Sequence, residues 1–444
     1  MKFQNIIEKV RAGLLGSGRW LSTHVDRRLL LFAVMIVVGL LSGFGAYLLK
    51  HLIAALSRLL TAGLDSYSFN WILLILPLLG IVGAGALVRY LLRTPLSHGP
   101  ERLKAQLKQG DLYIAPKRMF YPMIASTITL GFGGSAGSEG PIASTGAAIG
   151  GNIGRWLNLD RATLATVIGI GAGAGIAGIF KSPLGGAFYT LEVMRTPMTT
   201  LAVLALLVCT IVASMTAYAL GGFKLDIQMA DSFASFDPKY IPFVIALGIV
   251  CGLYALYYRY IMATVRRWLE AIKREWVRWV IAGTFLSVAV AMLPALYGEG
   301  YGVAGSLLNG HSGALLADSM FATSSGGATL LIFVAFATVA VKCFATSATN
   351  NGGGVAGNFA PTLMVGSVLG FLFVLLVNAF CGFDLPVGLF VLYSMAGVMA
   401  GAVRAPLMAV MLCTEMVGAY SQFFPMIIVV TISYAIVRIF EKQQ

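Results

Sequence analysis

Apolar runs close to the ~20 residues needed to cross a bilayer recur along the whole sequence, beginning near Leu29, Trp71, Leu201, Ile241, Trp279, Leu330, Phe371 and Phe424. Nothing else in the chain constrains its fold as strongly. In hydrocarbon there is no water to pair with backbone N–H and C=O groups, so runs that are apolar on every side must close their own hydrogen bonds as helices. Composition agrees: 58% of residues are hydrophobic and 11% charged, against about 25% charged in an average soluble domain. The expected fold class is an all-α polytopic membrane protein.

The net charge of +13 raises the question of nucleic acid, and its distribution answers it. Lys and Arg gather in Met1–Arg28, Arg93–Arg118, Arg266–Arg278 and near Lys442, whereas the loops Gly221–Lys239 and Tyr297–Ser325 are poor in them and carry acids. That is the positive-inside pattern. It predicts a multi-pass protein of the cell's inner (plasma) membrane with both termini in the cytoplasm, in contact with lipid and not nucleic acid. No apolar core lies within the first twenty-odd residues, so a cleavable signal peptide is not expected. Residues 1–28 read instead as a basic amphipathic segment along the cytoplasmic surface, with Ile6, Ile7, Val10, Leu14 and Leu15 set against Lys9, Arg11 and Arg19. The five cysteines are scattered without a CxxC pair, so they read as packing residues and predict neither a disulfide framework nor a metal site.

Some apolar segments are broken by glycine and proline, notably 122–152, 168–194, 350–370 and 394–418. Interrupted helices at membrane depth are tolerated where they are buried in protein or line a polar cavity. Two of them repeat one another. GSAGSEGPIASTGAAIG (134–150) aligns with GVAGNFAPTLMVGSVLG (354–370), 220 residues apart, sharing Gly134/Gly354, Ala136/Ala356, Gly137/Gly357, Pro141/Pro361, Gly146/Gly366 and Gly150/Gly370. A second block follows at an offset of 223: Ala177-Gly178 with Ala400-Gly401, Pro183-Leu184 with Pro406-Leu407, and Glu192 with Glu415. Paired, interrupted segments in two halves point to the binding site of a transporter built from repeats. Close helix packing accounts for Gly146, Gly150, Gly366 and Gly370, but not for an acid or a proline at the break. The halves are expected at 29–263 and 279–444, joined by a basic cytoplasmic connection at 264–278.

In GSAGSEGP (134–141) the glycines open the backbone N–H groups to approach, and Pro141 suits the first turn of a helix. The segment reads as a helix N-terminus arriving mid-membrane, where unpaired N–H donors and a partial positive charge attract anions. GVAGNFAP (354–361) offers the same geometry, with Asn358 and Phe359 in the places of Ser138 and Glu139. Two such ends would hold a desolvated anion without a full positive charge, so that it can also leave. Glu139, an ionisable residue inside a membrane segment, is by default functional. Its carboxylate can occupy the anion's own site and close the path, and protonation or displacement would open it. A structural helix cap is the alternative. Ser97 in LSHGP (96–100), taken alone, reads as an N-cap.

A different class, an intramembrane protease, is suggested by Gly310-His311-Ser312-Gly313. It requires a histidine after the serine to take its proton, and His24, His51, His98 and His311 all precede Ser312. No HExxH motif is present either. No catalytic or metal-binding residue is assigned, and no cofactor is expected.

These residues carry a resemblance: the sequence is similar to the chloride channel/transporter (CLC) family, as a prokaryotic member without C-terminal regulatory domains. GSEGP with GGNIGRW (150–156) resembles the family's GREGP signature, GNFAP (357–361) its GxFxP signature, and LSHGPERL its GSGIPE signature. FKSPLGGAFYTLEVM (180–194), PALYGEGYG (294–302) and VRAPLMAVMLCTEM (403–416) also match familiar stretches, in the right order. The resemblance implies a homodimer whose protomers each hold a pore between two inverted-topology repeats of tilted and broken helices. It implies that Glu139 is the gating and proton-carrying glutamate and that Ser97 coordinates the anion. The backbone at Asn358 and Phe359 would face the ion, with Gly137, Ser138, Gly140 and Ala360 completing the anion-binding set. It also implies transport of chloride or a similar small anion, as a proton-coupled exchanger or a passive channel.

Three departures bear on that choice. Val193 stands where many exchangers carry an inner proton-relaying glutamate, beside the acid matched by Glu192. A tyrosine that meets the central anion in the family would follow the last apolar segment, where the sequence ends at Gln444. The arginine of GREGP is Ser138. The function expected is anion/proton exchange gated by Glu139. A voltage- or pH-gated chloride channel is the alternative that Val193 keeps open, and a fluoride-selective branch is a third reading.

Overall fold

The computed structural model describes residues 24, 26–63, 70–94, 96, 99–227, 229, 236–317, 319 and 327–441. Most of the basic segment 1–28 therefore lies outside the described residues. Within them the chain is helical throughout. In the first half come α1 (Arg27–Thr61), α2 (Leu76–Ala86), α3 (Gly99–Lys108), α4 (Tyr121–Gly131), α5 (Glu139–Trp156), α6 (Arg161–Phe180), α7 (Pro183–Phe188) and α8 (Thr200–Leu220). Then follow α9 (Ile241–Glu270), α10 (Glu275–Met292), α11 (Tyr301–Leu308), α12 (Gly327–Asn351), α13 (Phe359–Cys381), α14 (Val387–Val403), α15 (Pro406–Val417) and α16 (Phe423–Glu441). Nine helical stretches among the described residues are long and apolar enough to span a membrane, and α14 and α15 are apolar but shorter. This is a multi-pass membrane protein. α10 shows how the spans are faced: Ile281, Phe285, Val288 and Met292 form an exposed apolar stripe, while Trp279, Ala282, Leu286 and Val290 are buried.

The chain divides into two compact units. One comprises Met1–Leu48, Gly99–Phe120 and Ile142–Phe223. Its centre is α6, whose small residues let neighbouring backbones approach: a Cβ on Gly150 of α5 would lie 2.6 Å from the Val167 carbonyl oxygen. Met35, Val38, Ile170, Ala174, Leu206 and Cys209 pack into one core across α1, α6 and α8, and the Ser214 hydroxyl donates to the Ala177 carbonyl at 2.8 Å. Asp160 caps α6 by accepting the Thr163 N–H, and pairs with Arg27. The Thr163 hydroxyl, its N–H and the Arg27 guanidinium together hold the Asp160 carboxyl below the usual carboxylate range.

The other unit comprises Leu49–His98, Tyr121–Pro141 and Lys224–Gln444. Here α13 packs on α14, α9 on α16 and α2 on α10. Hydrogen bonds join helices inside it: Tyr254 donates to the Val339 carbonyl at 2.8 Å, and the Leu78 N–H to the Ser287 hydroxyl at 2.9 Å. Arg259 and Arg404 both pair with Glu441 of α16. A four-residue turn, Ala271–Arg274, connects α9 to α10.

Two expectations are corrected. The span predicted to begin at Phe371 is part of one helix that begins at Phe359 and ends at Cys381. Gly366 and Gly370 do not break it, because the helix presents them to α14, where a Cβ on Gly370 would meet the Phe390 carbonyl oxygen at 2.6 Å. Of the five cysteines, Cys209, Cys251, Cys343 and Cys413 are buried packing residues, but Cys381 is exposed. The breaks themselves are short. At Lys181 and Arg404 the backbone turns left-handed (φ 53 and 63) and a new helix opens at Pro183 and Pro406 respectively.

Candidate anion-binding site

The segments 129–141 and 349–361 meet, residue for matching residue, inside the second unit. Gly137 N–H donates to the Gly357 carbonyl at 3.0 Å and Gly357 N–H to the Gly137 carbonyl at 2.6 Å, an isolated antiparallel bridge. On either side, Ser135 N–H donates to the Thr349 hydroxyl and Val355 N–H to the Thr129 hydroxyl, both at 3.0 Å. Each threonine carbonyl accepts the N–H five residues on, Gly134 to Thr129 at 2.8 Å and Gly354 to Thr349 at 3.0 Å. The reciprocity leaves few backbone groups unpaired in a region that water cannot serve. α5 and α13 then start two residues after the bridge, at Glu139 and Phe359.

The Glu139 side chain reaches across to the other segment. Its Oε1 accepts the Phe359 N–H and, at 3.2 Å, the Ala360 N–H, so the carboxylate sits on the N-terminus of α13. Glu139 is 2% exposed, and its Oε2 has no hydrogen-bond partner among the described residues. Glycine at both bridge positions leaves room for this approach: a Cβ on Gly357 would lie 2.6 Å from Oε1 and 2.7 Å from the Gly140 nitrogen, and one on Gly137 would meet the carboxylate itself. A carboxylate oxygen is thus held by two amides at the positive end of a helix, the arrangement that also attracts small anions.

The remaining sequence-predicted residues fall as follows. Ser138 is buried, and its N–H and hydroxyl donate to Glu299 Oε1 at 2.9 and 2.6 Å. Asn358 precedes α13 and is joined through its side chain to Asn350 at 2.5 Å, so the amides that reach Glu139 are those of Phe359 and Ala360. Gly140 lies against the Ala356 carbonyl. Ser97 lies outside the described residues. Val193 sits in the other unit, half-buried on the π-helical turn Tyr189–Met194 after α7.

Two groups escaped sequence reasoning. Lys342 of α12 is fully buried, and its ammonium donates to the Ser135 hydroxyl at 2.8 Å. Glu299 meets Ser138 from the loop before α11. A lone lysine inside an apolar span was the available signal for the first, by the same rule that singles out Glu139. Glu299 lies in a loop 161 residues from its partner in sequence, and only the fold joins them.

The spans, the interrupted helices and the carboxylate held on paired amides define a helical membrane protein whose two interrupted segments meet inside its own fold. Residues 80–438 match the family described as voltage gated chloride channel, and the chain belongs to that family. Its fold is shared with two solved structures. The slow cyanobacterial Cl−/H+ antiporter superposes with a TM-score of 0.76 at 20% identity, covering 94% of this chain and 95% of the other. A CLC-type fluoride/proton antiporter gives 0.73 at 22% identity, covering 92% and 95%. Among curated proteins, the H(+)/Cl(−) exchange transporter ClcA of Cronobacter sakazakii is 29% identical over 314 residues, 68% of this chain and 62% of that protein. ClcA of Vibrio cholerae is 27% identical over 310 residues, 67% of this chain and 62% of that protein. The chain therefore matches under two thirds of the length of these relatives. Membership of this family also removes the protease reading of Gly310–Gly313.

Proposed function

We propose that this protein exchanges a small anion, chloride or fluoride, for protons across the membrane, with Glu139 as gate and proton carrier. The observation that carries the reading is the Glu139 carboxylate on the amides of Phe359 and Ala360. A carboxylate there competes with a mobile anion for the same donors. When the anion arrives, or when the carboxyl is protonated and loses its charge, the side chain leaves and the path opens. Anion and proton thereby exclude one another at one place, which is the requirement for exchange. Gly137, Ser138, Gly140, Asn358, Phe359 and Ala360 form the inner wall of that place, and Ser97 completes the proposed anion-binding set.

The same reading makes 29–263 and 279–444 two inverted repeats about the Gly137–Gly357 bridge, joined through the basic connection 264–278. It makes the working unit a homodimer in the lipid of the cell's inner membrane, with both termini in the cytoplasm. A passive gated channel is the second reading, favoured by one observation: Val193 cannot relay a proton. Liposomes loaded with chloride or fluoride, with a pH electrode outside, decide between them. Anion efflux accompanied by stoichiometric proton uptake supports exchange; efflux with no proton movement supports the channel; no flux of either anion refutes both.

A further inference from the structure

Glu139 covers the amides at the start of α13. A second carboxylate covers the donors at the approach to α5. Glu299 lies in the Gly298-Glu299-Gly300 turn, whose flanking glycines both have positive φ (64 and 83). A Cβ on Gly300 would collide with Met364 of α13. The turn is thus fixed in place, and it points Glu299 Oε1 at the Ser138 N–H (2.9 Å) and hydroxyl (2.6 Å). Around this pair stand Lys342, fully buried on Ser135 and within electrostatic reach of both Glu139 and Glu299, and the ring of Tyr301, over which Lys50, itself paired with Asp226, is stacked at 5.2 Å. The unpartnered Oε2 of Glu139 lies against Gly137, the residue before Ser138. The two donors of Ser138 therefore define one spot, within electrostatic reach of the Lys342 ammonium. An oxygen of Glu299 occupies it as a mobile anion would.

We propose that Glu299 is a second, outer gate in series with Glu139: its carboxylate is a tethered competitor for an anion subsite formed by the N–H and hydroxyl of Ser138 in front of Lys342. Sidedness follows from the chain. α10 starts just after the basic turn Ala271–Arg274 and runs 18 residues, ~27 Å at 1.5 Å per residue, before the loop that holds Glu299. Glu299 therefore stands at the membrane face opposite the basic turn, the outer face in the topology proposed above. An anion entering from that face meets Glu299 before Glu139.

The inference rests on the proposed function, and one set of measurements separates them. Initial chloride flux into liposomes is titrated against chloride on each face for the wild-type protein and for Glu299→Gln. Calorimetric chloride titrations in detergent compare Glu139→Gln with Glu139→Gln/Glu299→Gln. Removing the competing charge is expected to tighten chloride binding, and to lower the half-saturating outer chloride, by about tenfold, the scale of one charge-assisted hydrogen bond. The half-saturating inner chloride stays put. Ser138→Ala, which removes a donor and keeps the carboxylate, is expected to weaken chloride binding by about threefold; it carries the test alone if Glu299→Gln does not fold. A purely structural Glu299 lowers the melting temperature without moving the outer half-saturation, and that result overturns the proposal. Ser138→Ala binding chloride as the wild type does also overturns it. Wild-type protein that moves neither chloride nor fluoride overturns the proposed function and this inference together. Flux gated by Glu139 but indifferent to Glu299 and Ser138 overturns only the latter.

Discussion

The segments 129–141 and 349–361 share a backbone and differ in their side chains. Both bend at a glycine pair, both take a threonine hydroxyl from the other, and both open a helix with proline as its third residue. Yet one supplies a carboxylate at Glu139 and the other an aromatic ring at Phe359, and one supplies Ser138 where the other has Asn358. The shared part builds donors, which are backbone groups and indifferent to side-chain identity. The unshared part decides which donors are occupied and when. The difference teaches that, in the function proposed, anion affinity would be a property of the chain path and gating a property of single residues.

Substitutions can break or sharpen that division. The largest effect is expected at Glu139. Glu139→Gln should abolish proton coupling and the pH dependence of flux while anion flux persists, as read by paired chloride and pH electrodes on liposomes; steep pH-dependent flux in this variant would remove the role given to Glu139. The two bridge glycines should then behave differently despite their equivalent backbones. In Gly357→Ala the new Cβ meets the Gly140 nitrogen as well as the carboxylate, and backbone cannot swing aside, so about 3 kcal/mol of stability should be lost. In Gly137→Ala the nearest obstacle is the Glu139 carboxylate, the far end of a flexible side chain. That variant should keep most of its stability and show raised, less pH-dependent flux. Melting curves and flux assays together distinguish the pair.

The threonines test the shared part. Thr129→Val and Thr349→Val each leave one buried N–H, of Val355 and Ser135 respectively, without its acceptor. Each should cost about 1–2 kcal/mol, and near-equal losses are expected because the two bonds are mirror equivalents; a markedly unequal pair would break the comparison. The smallest effect is expected away from both segments. Asp160→Ala removes the α6 cap at a cost of about 1 kcal/mol, with flux per folded protein unchanged. Because the Asp160 carboxyl is held below its ordinary value, its contribution is complete above the unfolded value of about 3.9 and is lost as pH falls through the lower folded one. The wild type and this variant should therefore converge in melting temperature in acid.

Much of this was legible in the sequence, for identifiable reasons. Glycine and proline constrain the backbone locally, so the match at an offset of 220 residues found both segments, and the same offset separates Glu139 from Phe359 in the hydrogen bond that joins them. Glu139 stood out because charge in hydrocarbon is costly. What local reasoning missed depends on contacts between distant parts of the chain. Lys342 meets Ser135 across 207 residues and Glu299 meets Ser138 across 161, and no periodicity encodes either. The apolar run beginning at Phe371 is the second half of α13, whose N-terminus the glycine and proline pattern of 354–361 already marks; packing against α14 carries the helix through Gly366 and Gly370.

The Gly137–Gly357 bridge has an evolutionary consequence. Were the two glycine-rich segments contributed by two identical polypeptides, any carboxylate at position 139 would appear twice, and both amide sites would be closed by the same mutation. Joined in one gene, the two copies are free to diverge. Under the proposed repeat architecture, a single polypeptide retains the paired cradle while giving one arm an acid and the other a ring, so joining the halves is what would give the proposed pathway a direction.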